Sequence, residues 1–162
     1  MSKQLWKAGN MLYPLPVVMV SCGTEGVRPN IITVAWAGTI CTNPPMVSIS
    51  IRNESYSYDI IKESGEFVIN LVNDRIVRAA DWCGVRSGRD YDKFAKMKLT
   101  PVAGNTVSVP LIGESPVNIE CRVRQVIELG SHDMFIADVT DVWAEDSYMD
   151  DNGKFLLNDT GL

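Results

Sequence analysis

This 162-residue sequence predicts a mainly β domain: six to seven antiparallel strands closing into a small barrel, with two or three short helices inserted. Three observations predict it. Short apolar or alternating runs recur with turn residues between them, at a spacing that suits a closed antiparallel sheet and not a doubly wound one. The runs at 30–38 and 46–52 alternate at period two. No internal repeat and no low-complexity linker breaks the chain, so residues 1–162 read as one domain, long enough to close its own core.

In chain order, residues 15–22 (LPVVMVSC) form a β-rich apolar run introduced by Pro14 and Pro16 and ended by Gly23. Residues 24–29 turn the chain into the two central segments. In the first, Thr33, Ala35 and Ala37 share one face and Ile32, Val34 and Trp36 the other. In the second, after a turn through Asn43, Pro44 and Pro45, Ser48, Ser50 and Arg52 oppose Val47, Ile49 and Ile51. A half-exposed strand ordinarily carries longer polar groups outward, whereas these small side chains let a flat molecule approach the backbone. Ser55 and Ser57 stand at a helix start that Gly65 closes. Unpaired N–H groups there, with Arg52 beside them, favour an anion such as phosphate. Ordinary packed strands with a surface Arg and a Ser N-cap account for the same residues.

Residues 66–71 (EFVINL) read as a strand, and Asn73 or Asp74 then caps a helix with Ile76, Val77, Ala79 and Ala80 on its apolar side, closed by Gly84. Residues 87–94 (SGRDYDKF) form a polar loop that leads into a short helical turn, and 107–112 is a short apolar segment. In a long strand over 115–127, Val117, Ile119, Cys121, Val123 and Ile127 point inward, with Asn118, Glu120, Arg122 and Arg124 outward. Gly130 and Ser131 turn it back into a strand over 134–143. His132, the only histidine, therefore stands at the shoulder of a hairpin.

Near-half apolar content and ordinary charge exclude disorder, and a net charge of −5 with scattered Lys and Arg argues against nucleic acid and anionic membrane as partners. No basic segment precedes an apolar one at the start, so a cytoplasmic protein is expected. Cys22, Cys41, Cys83 and Cys121 are far apart, with no CxxC pair, which predicts reduced and mostly buried thiols and no zinc site. There is no GxSxG, P-loop, GxGxxG or HExxH motif, and a Ser–His or Cys–His mechanism would have to recruit His132. Redox chemistry on a bound organic cofactor needs none of these, because the protein supplies only a slot, dipoles and a phosphate clamp.

The ordered set PLPVVMVSCG, NIITVAWAGTICTNPPMVSISIR, the hydroxyl-rich helix start, EFVINL, CGVRSGRDYDKF and GSHDMFIADV resembles the flavin reductase-like, FMN-binding split-barrel family, especially its flavoredoxin-type members. The likeness covers nearly the whole chain. It implies a homodimer of split barrels with FMN near the subunit interface. It implies a flavin ring against Thr33, Val34, Ala35, Trp36, Ala37 and Thr39, with ribityl and phosphate held by Ser50, Ile51, Arg52, Ser55, Tyr56 and Ser57. Cys83, Gly84, Ser87 and Gly88 would approach the cofactor, and Arg89 and Lys93 would answer its phosphate or an incoming pyridine dinucleotide. Surface pairs, Arg89 with Asp92 or Lys93 with Asp90, are the alternative for that loop.

Gly130-Ser131-His132 matches a Gly-x-His context in similar reductases. That match implies a catalytic role for His132, steadying the nicotinamide or the reduced flavin's charge while hydride passes from nicotinamide C4 to flavin N5. Trp36 and Tyr56 could stack on the ring or fill the core; for Trp36, on the apolar face, the core is expected. The resemblance implies an NAD(P)H-dependent flavin reductase. The alternative is a flavoredoxin-like carrier whose FMN receives electrons from a protein donor without direct use of NAD(P)H. A split-barrel protein acting on pyridoxine phosphate or haem is a third reading, since fold does not fix function.

Overall fold

The computed structural model describes residues 1–162. One sheet of seven antiparallel strands carries the fold: β1 (Val18–Thr24), β2 (Val27–Val34), β3 (Ala37–Cys41), β4 (Met46–Arg52), β5 (Glu66–Leu71), β8 (Val117–Glu128) and β9 (His132–Ala144). A two-stranded ribbon, β6 (Pro101–Val102) with β7 (Leu111–Ile112), lies beside it. The helices are α1 (Tyr56–Ser64), α2 (Val77–Val85) and α3 (Lys93–Met97).

The order across the sheet is β2-β1-β5-β8-β9-β4-β3. β2 and β3 are consecutive in the chain yet stand at opposite ends of that order, joined only by Ala35 and Trp36. Val34 and Ala37 are three Cα steps apart, about 11 Å at most, so the sheet must curl until its ends approach; the Ser50 N–H donates to the Trp36 carbonyl at 2.9 Å, carrying the β3–β4 ladder up to the corner. The result is a split barrel. The single alternating strand expected over 30–38 is therefore two strands broken at a corner. Neither piece buries alternate residues: Ile31 packs on the helices and Val34 in the barrel, while Gly38, Thr39 and Ile40 of β3 are all exposed, and a period-two pattern cannot signal where a strand changes neighbours.

The barrel interior is filled by Val20, Ile49, Ile51, Phe67, Cys121 and Phe135, with Tyr58 and Ile61 of α1 closing one end. Gly65 stops α1 with φ 67°, a left-handed backbone that suits glycine. A second core lies outside the sheet, where Met19 and Ile31 meet Ala79, Ala80 and Cys83 of α2 and Phe94 of α3. β1 is buried on both faces, which explains its unbroken apolar reading.

Three expectations need correction. α2 starts at Val77, which is exposed, and runs through Gly84 to Val85; Asn73 is buried and holds the Thr160 carbonyl, so it anchors the chain's end and caps no helix. The outward row of β8 is covered at Asn118 and Glu120, because residues 105–112 fold back over it. Glu120 is wholly buried and its carboxylate accepts from the Asn105, Thr106 and Val107 amides, the Thr106 hydroxyl and the Trp143 indole. Burial pushes that carboxyl up, but the donors more than offset it and hold it at about 2. No helix is long and apolar enough to cross a membrane.

Candidate functional site

The seam that closes the barrel opens into a cleft of about 410 Å³. Its walls are the edge of β2 from Ile32 to Val34, the corner at Ala35 and Trp36, and the end of β4 from Ser50 to Arg52. β2 is the last strand of the sheet, so this edge has no strand partner. Ser50 and Ala35 present small side chains, and Gly84 of α2 packs so tightly on β2 that an added Cβ would lie 3.3 Å from the Thr33 Cβ. Thr33 itself donates to the Ala80 carbonyl, so its hydroxyl ties α2 to β2.

His132 and Arg52 are register partners at the open end of the β4–β9 pair. Trp36 leaves the core that its alternation predicted: it is 40% exposed, and its ring lies 4.4 Å from the His132 imidazole, tilted by 38°. The reason is the corner, which turns the residue out of the strand pattern. His132 Nδ1 shares a hydrogen bond with the Ser131 hydroxyl at 2.9 Å. The Arg52 side chain is 67% exposed and pairs with Glu54 at 3.5 Å, a solvent-facing interaction of small energetic weight.

A smaller lobe of about 140 Å³ continues from this cleft, sharing Ile32, Ser55 and Gly84 with it. The start of α1 borders it. The Ser55 side chain makes no cap hydrogen bond, which leaves the helix's first amides uncapped by their own N-cap residue. Ser57 is buried and accepts from Asn30 Nδ2 at 2.8 Å. Arg86, Ser87, Gly88 and Arg89 form the lobe's other side.

Lys93 lies at its base. Only 3% exposed, its ammonium donates to the Ile31 and Cys83 carbonyls, each at 2.7 Å, and meets no carboxylate. Burial pushes its pKa down. The four ion pairs of the molecule use Arg52, Arg75, Arg122 and Arg124, so neither alternative surface pair, Arg89 with Asp92 or Lys93 with Asp90, forms. Arg89 instead donates to the Glu54 carbonyl and lies over the Tyr56 ring. Cationic groups without carboxylate partners thus collect at this lobe and not at Arg52.

The structure brings most of the sequence-predicted residues to these two connected spaces. Thr39 and Ala37 are the exceptions: Thr39 stands exposed on β3, paired to Val47, outside both. Ala37 borders an adjoining hollow of about 660 Å³ between β3, β4 and residues 9–15. Cys83 lines the smaller lobe, but burial raises its pKa, and Cys22 is pushed up to about 11, so neither offers a thiolate at neutral pH. All four cysteines are free. Sequence reasoning missed Asn30 and Glu54; a lone Asn opening an apolar strand was the available sign of the first.

The seam of this split barrel thus forms a cleft that leads to cationic side chains without carboxylate partners. A model of the family described as flavin reductase like domain matches residues 10–159, and the chain belongs to that family. The flavoredoxin of Desulfovibrio vulgaris (Miyazaki F) superposes with a TM-score of 0.90 at 38% identity, over 98% of this chain and 85% of that one. An uncharacterized protein of Archaeoglobus fulgidus is 32% identical over 91% of this chain and 84% of its own length. An NADPH-flavin oxidoreductase of Streptomyces viridifaciens is 26% identical over 89% of this chain and 71% of its own length.

Proposed function

We propose that the chain binds flavin mononucleotide in the seam cleft and acts as an NAD(P)H-dependent flavin reductase in the cytoplasm. The observation that carries this reading is the buried ammonium of Lys93, without a carboxylate, at the base of a narrow lobe that opens from a slot walled by backbone and small side chains. The residues fit such a group. Ser50 and Ala35 leave room for a planar ring against the free edge of β2, and the uncapped start of α1 with Lys93 and Arg89 suits a phosphate.

When bound, the flavin supplies the hydride-accepting atom. The chain's own residues bind and orient. Ser55, Ser57 and Asn30 line the smaller lobe and would hold the ribityl chain, and the Trp36 ring lies tilted 4.4 Å from the His132 imidazole at the cleft's open end. From there His132 would steady an incoming nicotinamide or the charge of the reduced ring. No side chain need move a proton for a direct hydride transfer.

A homodimer belongs to the same proposal. Trp36 at the corner and Ile40 on β3 lie exposed, the outer edge of β3 is the unpaired end of the sheet, and Leu12 and Tyr13 are exposed beside the adjoining hollow. A second copy there would close the cleft's open end.

The 38% identity to a flavoredoxin favours a second reading, an electron carrier that takes electrons from a protein donor. One experiment separates the two. The purified, FMN-loaded protein, mixed anaerobically with NADH or NADPH, should lose its flavin absorbance within the reductase reading. Bleaching by dithionite or a reduced protein donor alone selects the carrier, and failure to take up FMN ends both.

A further inference from the structure

We propose that Asp133, tied by the Tyr58 hydroxyl, is a positioning residue that fixes His132 against Trp36 at the open end of the cleft. The consequence for flavin reduction rests on the reading above; the placement of His132 does not.

The inward row of β9 begins Asp133, Phe135 and Ala137, and the last two belong to the barrel's apolar core. A carboxylate at the head of that row is anomalous, because an apolar side chain would serve the packing and a charge is costly to bury. Asp133 is 2% exposed. Its Oδ2 accepts from the Tyr58 hydroxyl of α1 at 2.6 Å, and its buried Oδ1 has no partner. Lys62 Nζ backs the pair, donating to the same hydroxyl at 3.2 Å. The bond to Asp133 holds the Tyr58 pKa above its ordinary value, so the hydroxyl stays a donor.

The ladder runs out at this point. β8 pairs with β9 as far as Glu128 with Asp133, and His132 beyond it is paired on one side, to Arg52 of β4. The hairpin turn itself carries an exposed bond from Asn53 Nδ2 to the Gly130 carbonyl at 3.1 Å. Successive residues of a strand face opposite sides. Anchoring Asp133 inward therefore sets His132 outward, into the cleft, where its ring lies 4.4 Å from that of Trp36. Tyr58 also packs edge-on against Phe135, ring centres 5.5 Å apart, a contact that phenylalanine would keep. Removing the hydroxyl alone strips a buried carboxylate of its donor. The first residues of β9 must then turn to bring it to water, and they carry His132 off Trp36.

The test uses the only histidine of the chain, whose imidazole Cε1–H gives a single magnetic resonance signal that the Trp36 indole displaces from the free-histidine position. At fixed pH, Tyr58→Phe should lose most of that displacement. Asp133→Ala, which removes the tie from the other side and leaves no charge behind, should move the signal the same way by less, and keeps the test open should Tyr58→Phe fail to fold. Asp133→Asn retains an acceptor for the hydroxyl and should hold the signal in place. Ile61→Val trims the packing of the same helix in the barrel core and should lower the unfolding midpoint without moving the signal. A signal unmoved in the folded variants that lack the tie, or moved as far by Ile61→Val, overturns the inference. In the FMN-loaded protein, Tyr58→Phe should slow nicotinamide-driven reduction about fivefold with FMN affinity kept, and should add nothing in a His132→Ala background, because both changes act through one contact. Losses that add in the double variant overturn it as well. A wild type that nicotinamide does not reduce ends the reductase reading, and the histidine signal then decides the positioning claim alone.

Discussion

Three carboxyl or ammonium side chains are buried in this protein, Glu120, Lys93 and Asp133, and the first two are answered differently. The Glu120 carboxylate, wholly inaccessible, accepts from three amides, a hydroxyl and an indole. The Lys93 ammonium, almost as inaccessible, has two carbonyls and no counter-charge. Burying an ion is costly unless partners replace its water. Glu120 is fully provided for and belongs to the fold: it fastens residues 105–107 over the outer face of β8. Lys93 is under-provided and stands where a cavity begins, so the balance it lacks is the kind an anionic ligand supplies.

Removing Glu120 should break the first half of that comparison most visibly. Glu120→Ala leaves five donors without an acceptor and should cost about 3–5 kcal/mol of unfolding free energy, read by denaturant titration, with FMN affinity unmoved. Its pH signature follows from a folded pKa of about 2, below the ordinary carboxylate value. A depressed pKa contributes stability that is fully present above about pH 4.5 and is lost as the pH falls towards 2. Wild type should therefore lose about 2–3 kcal/mol across that window, and Glu120→Gln should show a flatter profile there.

Lys93→Met sharpens the other half. It should weaken FMN binding by about 2–3 kcal/mol and move the unfolding midpoint little, because the variant also sheds a buried charge. A fall in stability with FMN affinity intact would make Lys93 a structural residue. His132→Ala should leave FMN bound and slow nicotinamide-driven reduction about tenfold, the effect of losing one orienting contact of about 1.4 kcal/mol, in stopped-flow traces. Arg52→Ala should have the smallest effect, below about 1 kcal/mol in FMN affinity, since its charge is already met by Glu54 in solvent.

The pattern of residues announced much of this and concealed a definable part. Period-two alternation in 30–38 and 46–52 marked the walls of the cleft, and Gly65 marked the end of α1, because both are local signals. The corner at Ala35 and Trp36 was invisible: whether a strand continues or changes neighbours depends on how the whole sheet closes, so Trp36 was expected in the core and stands at the cleft. Glu120 read as an outward residue because the segment that covers it lies 13–15 positions away and has no strand pattern. Lys93 was singled out by its charge within a loop that the family resemblance, and no local pattern, brings to the cofactor. That Lys93 is buried without a carboxylate follows from tertiary placement, which no spacing encodes.

Titrating the apoprotein with FMN and with riboflavin, which differ only by the phosphate, tests the central claim most directly. If the cations of the smaller lobe await that group, FMN binds about a hundredfold more tightly than riboflavin, and Lys93→Met erases most of the difference. Equal affinities for the two flavins, or a difference that survives in Lys93→Met, would contradict it.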